Sequence, residues 1–127
     1  MDPDYIAIIN LSVCPTDLQG LHVQTNDGSV SPSTALPSQI LQPGEVVYLV
    51  ESTLGTGTDI NLGYNISWVT NDDGFVLLCN GTCATTSNVV DAMVFGSTPP
   101  TLPSPVTFTP AAMGDIQRGD LLADKEA

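Results

Sequence analysis

Positively charged side chains are nearly missing from this sequence. It has 2 Lys and Arg residues against 14 Asp and Glu residues, for a net charge of −12, and a single histidine, His22. Arg118 and Lys125 both lie in the last ten positions. Nucleic-acid binders need Lys and Arg to displace phosphate counterions, and anionic lipid surfaces attract the same side chains. We therefore expect no nucleic-acid partner. The acidic charge would steer a cation or a basic partner toward the protein, and it would also keep a β protein soluble.

Long hydrophobic runs are also missing, and helical periodicity is nearly absent. No apolar run approaches the ~20 residues that span a bilayer, so we expect no membrane insertion. Apolar residues instead alternate with polar ones or form short runs between turn residues, which is typical of strands. Short strands at this spacing predict an all-β sandwich. The predicted strands are 4–10, 21–25, 46–50, part of 60–70 with Trp68 as a large core residue, 75–79 and 88–96.

Prolines and glycines mark the boundaries between these strands. Pro43-Gly44 suits a type II turn, and Asn26-Asp27-Gly28 signals a tight turn. Five prolines fall in 97–110, so this part can only be extended, at a sheet edge or linker-like. A short helix is plausible near 115–126. We therefore predict a β-sandwich over 1–97, followed by a Pro-rich extension and tail over 98–127.

Three cysteines raise the question of a redox or metal site. Cys79 and Cys83 are four positions apart. Zinc needs about four ligands, and only Cys14 and His22 could add to this pair. The Cys-x-x-Cys spacing of thioredoxin-like redox centres is absent. A disulfide that clamps the Asn-Gly-Thr connection is the favoured interpretation, and two buried, reduced thiols are the alternative. Cys14 is then free, or it bonds another molecule.

Clusters of acidic residues raise the question of calcium. The weak candidates are Asp27, Asp72 and Asp73, because carboxylate oxygens suit this ion. These residues belong to two clusters, Asn26-Asp27-Gly28 and Asn71-Asp72-Asp73-Gly74, and neither has the ligand spacing of an EF-hand calcium loop. Asn, Asp and Gly are also the residues that tight turns require, so turn geometry is the favoured explanation. We expect no cofactor other than a possible calcium ion.

The sequence offers little for catalysis. Nucleophilic catalysis needs a nucleophile, a base and an orienting group, and His22 lies in a half-exposed strand pattern. Asp17, Asp59 and Asp91 are scattered and have no supporting motif. We therefore expect a protein that is not an enzyme. Arg118-Gly119-Asp120 matches an adhesion tripeptide, but a match of three residues often arises by chance. N-glycosylation sequons begin at Asn10, Asn65 and Asn80, and Asn10 and Asn80 fall at strand ends, where modification is sterically doubtful.

Several blocks of the chain resemble the lamin tail domain family. DYIAIINLS (4–12) looks like the family's E-F-I-E-I-Y-N-x-S strand. PTDLQGLHV (15–23) is similar to its V-D-L-S-G-W-x-L turn and strand, and LPSQILQPGEVVYLV (36–50) to L-x-P-G-E-x-V-V-I. Residues 66–96 are similar to its closing strands. The resemblance covers about residues 4–97 and implies an immunoglobulin-like β-sandwich.

The chain also departs from the family pattern. The family's opening I-N-E-V strand is missing, Ala7 replaces its Glu, and Leu21 replaces the aromatic residue after the turn glycine. A sandwich without an edge strand exposes unpaired backbone groups that accept a strand from another chain. We therefore expect either a truncated domain or an edge that a neighbour completes.

The resemblance implies a non-catalytic interaction module. The high Thr, Ser, Asn and Asp content, the low Lys content and the expected disulfide favour the exported type found in bacteria, at the cell surface or outside the cell. The partner would be a protein, or a second copy, bound through sheet edges and loops. One alternative is a structural subunit of a surface assembly or filament, completed by strand exchange between chains. A second alternative is an accessory domain that binds calcium or substrate beside a secreted hydrolase.

Overall fold

The computed structural model of the protein describes residues 3–66, 73–83 and 89–95. These residues contain strands and turns and no α-helix, so the predicted all-β class is confirmed for this part of the chain. No helix among them could cross a membrane. The backbone contacts divide the chain into two compact units. The described residues of the first unit are 3–19 and 36–66, and those of the second are 20–35, 73–83 and 89–95.

The first unit contains a three-stranded sheet. Strand β1 (Tyr5–Ile9) pairs antiparallel with β6 (Val46–Val50), so that Tyr5 is opposite Val50 and Ile9 is opposite Val46. Strand β7 (Ile60–Asn61) adds to the other side of β6 in parallel. Two shorter strands, β2 (Thr16–Asp17) and β5 (Ile40–Leu41), pair with each other. Among the described residues, the order β1-β6-β7 leaves β1 as an outer strand.

The second unit contains a four-stranded sheet. Its central strands are β3 (Leu21–Asn26) and β8 (Gly74–Asn80), which pair antiparallel from Leu21 opposite Asn80 to Asn26 opposite Phe75. The outer strands are β4 (Thr34–Ala35) beside β3 and β9 (Val89–Phe95) beside β8. A bulge between Leu78 and Cys79 interrupts the pairing of β8 with β9.

Each unit buries its own apolar side chains. In β8 nearly every position is buried, as its continuous run of apolar residues predicts. A buried cluster joins this strand to β9. Its members are Phe75, Leu77, Cys79, Cys83, Ala92 and Val94. In the first unit the buried apolar residues include Tyr5, Leu41, Val47, Leu49, Val50 and Ile66.

The turn before β6 confirms the Pro43-Gly44 prediction. The Glu45 N–H donates to the Gln42 carbonyl at 2.9 Å, which closes a four-residue turn around Pro43 and Gly44. Gly44 has φ of 81°, the left-handed conformation that a type II turn needs at its third residue. The Gly44 N–H also donates to the Asn10 carbonyl at 2.7 Å, so this turn holds the end of β1.

Five of the six strand predictions, those other than 60–70, are confirmed to within one residue at each end. The segment 60–70 forms only β7 among its described residues, and Trp68 lies outside the described residues. Three of the four strands of two residues each, β2, β4 and β5, fall between the predicted strands. Each is defined by the strand that it pairs with, so local patterning does not predict it. The Asn-Gly-Thr stretch is not the whole connection, since β8 ends at Asn80 and β9 begins at Val89. The Pro-rich extension and the helix near 115–126 lie outside the described residues.

Gly44→Ala is expected to lower the free energy of unfolding by about 1 kcal/mol, because an L side chain disfavours the left-handed conformation. An added Cβ would meet nothing within 4 Å, so crowding does not contribute. Urea unfolding measures the loss: the midpoint urea concentration should fall, while the slope of the unfolding free energy against urea concentration should not change. Gly44→Asn is the matched control and should cost less, because Asn tolerates this conformation. Equal stability of the glycine and alanine proteins would show that the turn is not of this type.

Candidate functional site

The buried side chain of Asn10 organises a surface loop directly after β1. It is 8% exposed, and its Nδ2 donates to the carbonyls of Cys14 and Leu41, each at 2.9 Å. Its Oδ1 accepts from the Ser12 N–H at 2.9 Å and from the Ser12 hydroxyl at 2.7 Å. A side-chain amide offers two donor hydrogens and two acceptor lone pairs, so Asn10 uses its full capacity. The loop over residues 10–16, which we call the Asn10 loop, is therefore held by polar bonds.

The Asn10 loop presents apolar side chains to solvent. Leu11 is 84% exposed and Val13 is 91% exposed, and Ile9, just before them in β1, is 39% exposed. Single exposed apolar residues are common on protein surfaces. Several exposed apolar side chains close together, with polar groups around them, are typical of interaction surfaces. Cys14 is free and exposed in the same loop. The loop can therefore offer a partner apolar contact from a backbone that is already ordered.

The sequence pattern predicts strands over 4–10 and 21–25 and does not identify this loop between them. The available signal was Asn10 followed two positions later by Ser12, since Asn and Ser side chains bond to nearby backbone groups. That signal does not reveal the bond from Asn10 to Leu41, which is 31 positions away. The same bonds occupy both amide hydrogens of Asn10, so its sequon has no free amide in the folded protein. Asn65 and Asn80 are exposed.

Asp17 is a structural carboxylate at the β2–β5 pair. It accepts from the Gln19 N–H at 3.0 Å, from the Ser38 hydroxyl at 3.0 Å and from the Gln39 N–H at 3.1 Å. These bonds, that from the Gln19 N–H first, lower the pKa of Asp17 below its ordinary value. Each donor favours the ionised carboxylate, which joins β2 to the segment before β5.

Cys79 and Cys83 form a disulfide with their Cα atoms 5.4 Å apart, which confirms the favoured interpretation. Both residues are buried in the apolar cluster at the end of β8. The Cys83 N–H donates to the Ser33 hydroxyl at 2.9 Å, so the disulfide loop is tied to the segment that enters β4. The bond is a clamp on the second unit and has little access to solvent.

His22 lies half-buried in β3, as the alternation of its strand predicts. Its Nδ1 is 3.3 Å from the Ser33 hydroxyl. This pair alone is not a catalytic triad, because a triad also needs a group that orients the histidine. Within residues 3–66, 73–83 and 89–95, no three His, Cys, Asp or Glu side chains gather where they could hold a metal ion.

The three calcium candidates lie in different settings. Asp27 follows β3 in a turn where the Asn26 side-chain oxygen accepts from the Gly28 N–H at 3.0 Å. Gly28 has φ of 121°, so turn geometry accounts for the glycine of this cluster. Asp73 directly precedes β8, and Asp72 lies outside the described residues. Calcium at these residues stays a prediction. Arg118-Gly119-Asp120 lies outside the described residues as well.

No family model matches the chain, and no curated protein matches it.

Replacing Cys79 and Cys83 together by alanine is expected to lower the free energy of unfolding by about 2 kcal/mol, because the disulfide closes a very short loop. Urea unfolding measures the change, and Cys14→Ala is the control, since Cys14 is exposed. Alkylation of the denatured wild-type chain without reductant should modify one cysteine, and with reductant all 3. Modification of every cysteine without reductant would contradict the clamp.

Asn10→Ala is expected to destabilise the protein by about 2 kcal/mol, because it removes the side-chain donor from the buried Leu41 carbonyl and the acceptor that holds Ser12. Backbone hydrogen exchange in residues 11–14 should accelerate with the loss of stability. Ser12→Ala, at an exposed position in the same loop, should cost less. The interpretation of the loop fails if the two variants are equally stable and exchange alike.

Proposed function

We propose that this chain is a non-catalytic interaction module that acts outside the cell or at the cell surface. It binds a protein partner through the Asn10 loop and the adjacent sheet edge rather than through a pocket. The observation that carries the proposal is the exposure of Leu11 and Val13 on a loop that the Asn10 side chain holds in place. An ordered loop loses little conformational entropy on binding, which raises affinity without a larger contact area.

The disulfide supports the extracellular assignment. Disulfides persist in oxidising compartments and are rare where thiols are kept reduced. Cys79 and Cys83 are bonded, and Cys14 is left free in an exposed position. A chain with a disulfide and an acidic surface suits export.

The lamin tail resemblance and the immunoglobulin-like sandwich are part of the proposal. They are supported by the strands that form within the resembling blocks: β1 in 4–12, β3 at the end of 15–23, β6 at the end of 36–50, and β8 and β9 in 66–96. The Pro-Gly turn of the third block also forms, with Gly44 in the required conformation. Non-catalytic binding is the role that this resemblance implies.

The test compares the wild-type chain with Leu11→Ser/Val13→Ser, which has the same net charge. Each protein is immobilised, and extracellular and surface fractions of the producing cells are passed over it. We expect proteins that the wild type retains and the double variant loses, because the variant removes the apolar contact alone. Unfolding in urea should be unchanged, since both side chains are exposed in the native chain. Equal retention by the two proteins, or no retention by either, would refute binding through the loop.

A further inference from the structure

The outer strands of the two larger sheets differ in how well they are protected against pairing with a strand of another protein. Among the described residues, β4 and β7 have two residues each, too few to template another strand. Strand β9 is longer, but it carries the exposed carboxylate of Asp91 near its middle. Strand β1 has five apolar or aromatic residues and lacks the charges, proline or bulge with which edge strands are guarded.

The register shows which backbone groups of β1 face outward. The Glu51 N–H donates to the Asp4 carbonyl at 3.1 Å, and the Asn10 N–H donates to the Glu45 carbonyl at 3.1 Å. Asp4 and Asn10 are both even-numbered, and an antiparallel ladder alternates hydrogen-bonded and non-hydrogen-bonded pairs. The even-numbered residues therefore bond to β6, and the N–H and C=O groups of Ala7 and Ile9 point away from it. The described part of the chain pairs β1 with β6 alone.

Acidic side chains flank this edge. Asp4 precedes β1, and Glu45 and Glu51 flank its neighbour β6 at opposite ends. The Glu51 carboxylate accepts from the N–H groups of Asp4 at 3.0 Å and Ile66 at 3.2 Å, so it is fixed near one end of the strand. The described residues contain eight carboxylates (six in 3–66, one in 73–83 and one in 89–95) and no Lys or Arg. The edge is thus apolar in its middle and negative at its ends.

This charge pattern selects the occupant. A second copy of the chain would bring another net charge of −12 to the edge, and like charges oppose association. A strand with Lys or Arg on both sides of an apolar middle would meet the acidic ends and satisfy the outward backbone groups. The exposed side chains of Ile9, Leu11 and Val13 continue from the end of β1 and offer apolar contact beyond it.

We propose that the outward edge of β1, Tyr5–Ile9, binds an extended segment of a partner protein in which basic residues flank a short apolar stretch. The segment adds a strand beside β1, and its backbone bonds to Ala7 and Ile9. This proposal rests on the proposed function and deepens it, since it states the chemistry of the partner.

The test uses a synthetic peptide, Lys-Lys-Val-Thr-Val-Thr-Val-Lys-Lys, and the same peptide with Glu in place of Lys. Wild-type protein should bind the Lys peptide, more weakly as salt is raised, and should not bind the Glu peptide. Ala7→Pro removes an outward N–H and no bond to β6, a position where an edge strand tolerates proline. It leaves the charge unchanged and should weaken binding about tenfold or more, which corresponds to ~1.4 kcal/mol. If wild type and Ala7→Pro bound the Lys peptide equally well, binding would depend on charge alone and not on a backbone bond to β1. That result would overturn the proposal.

Hydrogen exchange tests the same idea without a variant, in case Ala7→Pro fails to fold. The amides of Ala7 and Ile9 should exchange rapidly in the free chain and slow down when the Lys peptide is added. Protection of both amides in a free monomer would mean that the chain's own residues occupy the edge. A wild-type dimer in sedimentation, with these amides protected, would assign the edge to a second copy. Either result overturns the proposal.

The two proposals fail separately. Leu11→Ser/Val13→Ser keeps the β1 edge, and Ala7→Pro keeps the Asn10 loop. Suppose that the immobilised wild type retains surface proteins through the loop, that Ala7→Pro retains them equally well, and that the Lys peptide does not bind. The proposal for the β1 edge is then refuted, and the proposed interaction module is still supported. If the loop variant retains as much as the wild type, the proposed function falls, and the peptide result then speaks for the edge alone.

Discussion

The scarcity of positive side chains determines how this protein accommodates its carboxylates. Arg118 and Lys125 lie outside the described residues, so within those residues backbone N–H groups serve as donors to the acids. Asp17 accepts from two of them, Glu51 from two, and Glu45 and Asp59 from one each. For Asp17 these bonds lower the pKa below its ordinary value. The four carboxylates close turns and fix the ends of strands.

The same scarcity of charged hydrogen-bond donors explains the importance of Asn10. A neutral amide supplies both donors and acceptors, and Asn10 uses all of them to join the end of β1, the loop after it and Leu41 of β5. Because the loop is held by these bonds and not by packing of its own apolar residues, Leu11 and Val13 are left on the surface. The proposed binding surface is therefore a consequence of how the first unit is closed.

The strands show how far sequence patterning reaches. Continuous or alternating apolar runs locate β1, β3, β6, β8 and β9, because burial of one or both faces requires those patterns. The strands β2, β4 and β5 escape prediction, since two residues carry no period and their pairing depends on a distant segment. For the cysteines, the spacing and the shortage of further metal ligands favour a disulfide between Cys79 and Cys83, and the structure confirms it. The same reasoning treats Asn10 as an ordinary residue at a strand end, because its decisive bond is made to Leu41.

Local chemistry, by itself, determined the all-β class, the Pro43-Gly44 turn, the cysteine pair and the acidic character of the protein. Each follows from residue types that are close together in the chain and from backbone preferences that do not depend on distant contacts. Only the tertiary structure decided that Leu11 and Val13 are displayed and that β1 is an outer strand with Ala7 and Ile9 facing outward. Those properties depend on register and on which segments meet, and a shift of one residue along β6 would turn the other backbone groups of β1 outward.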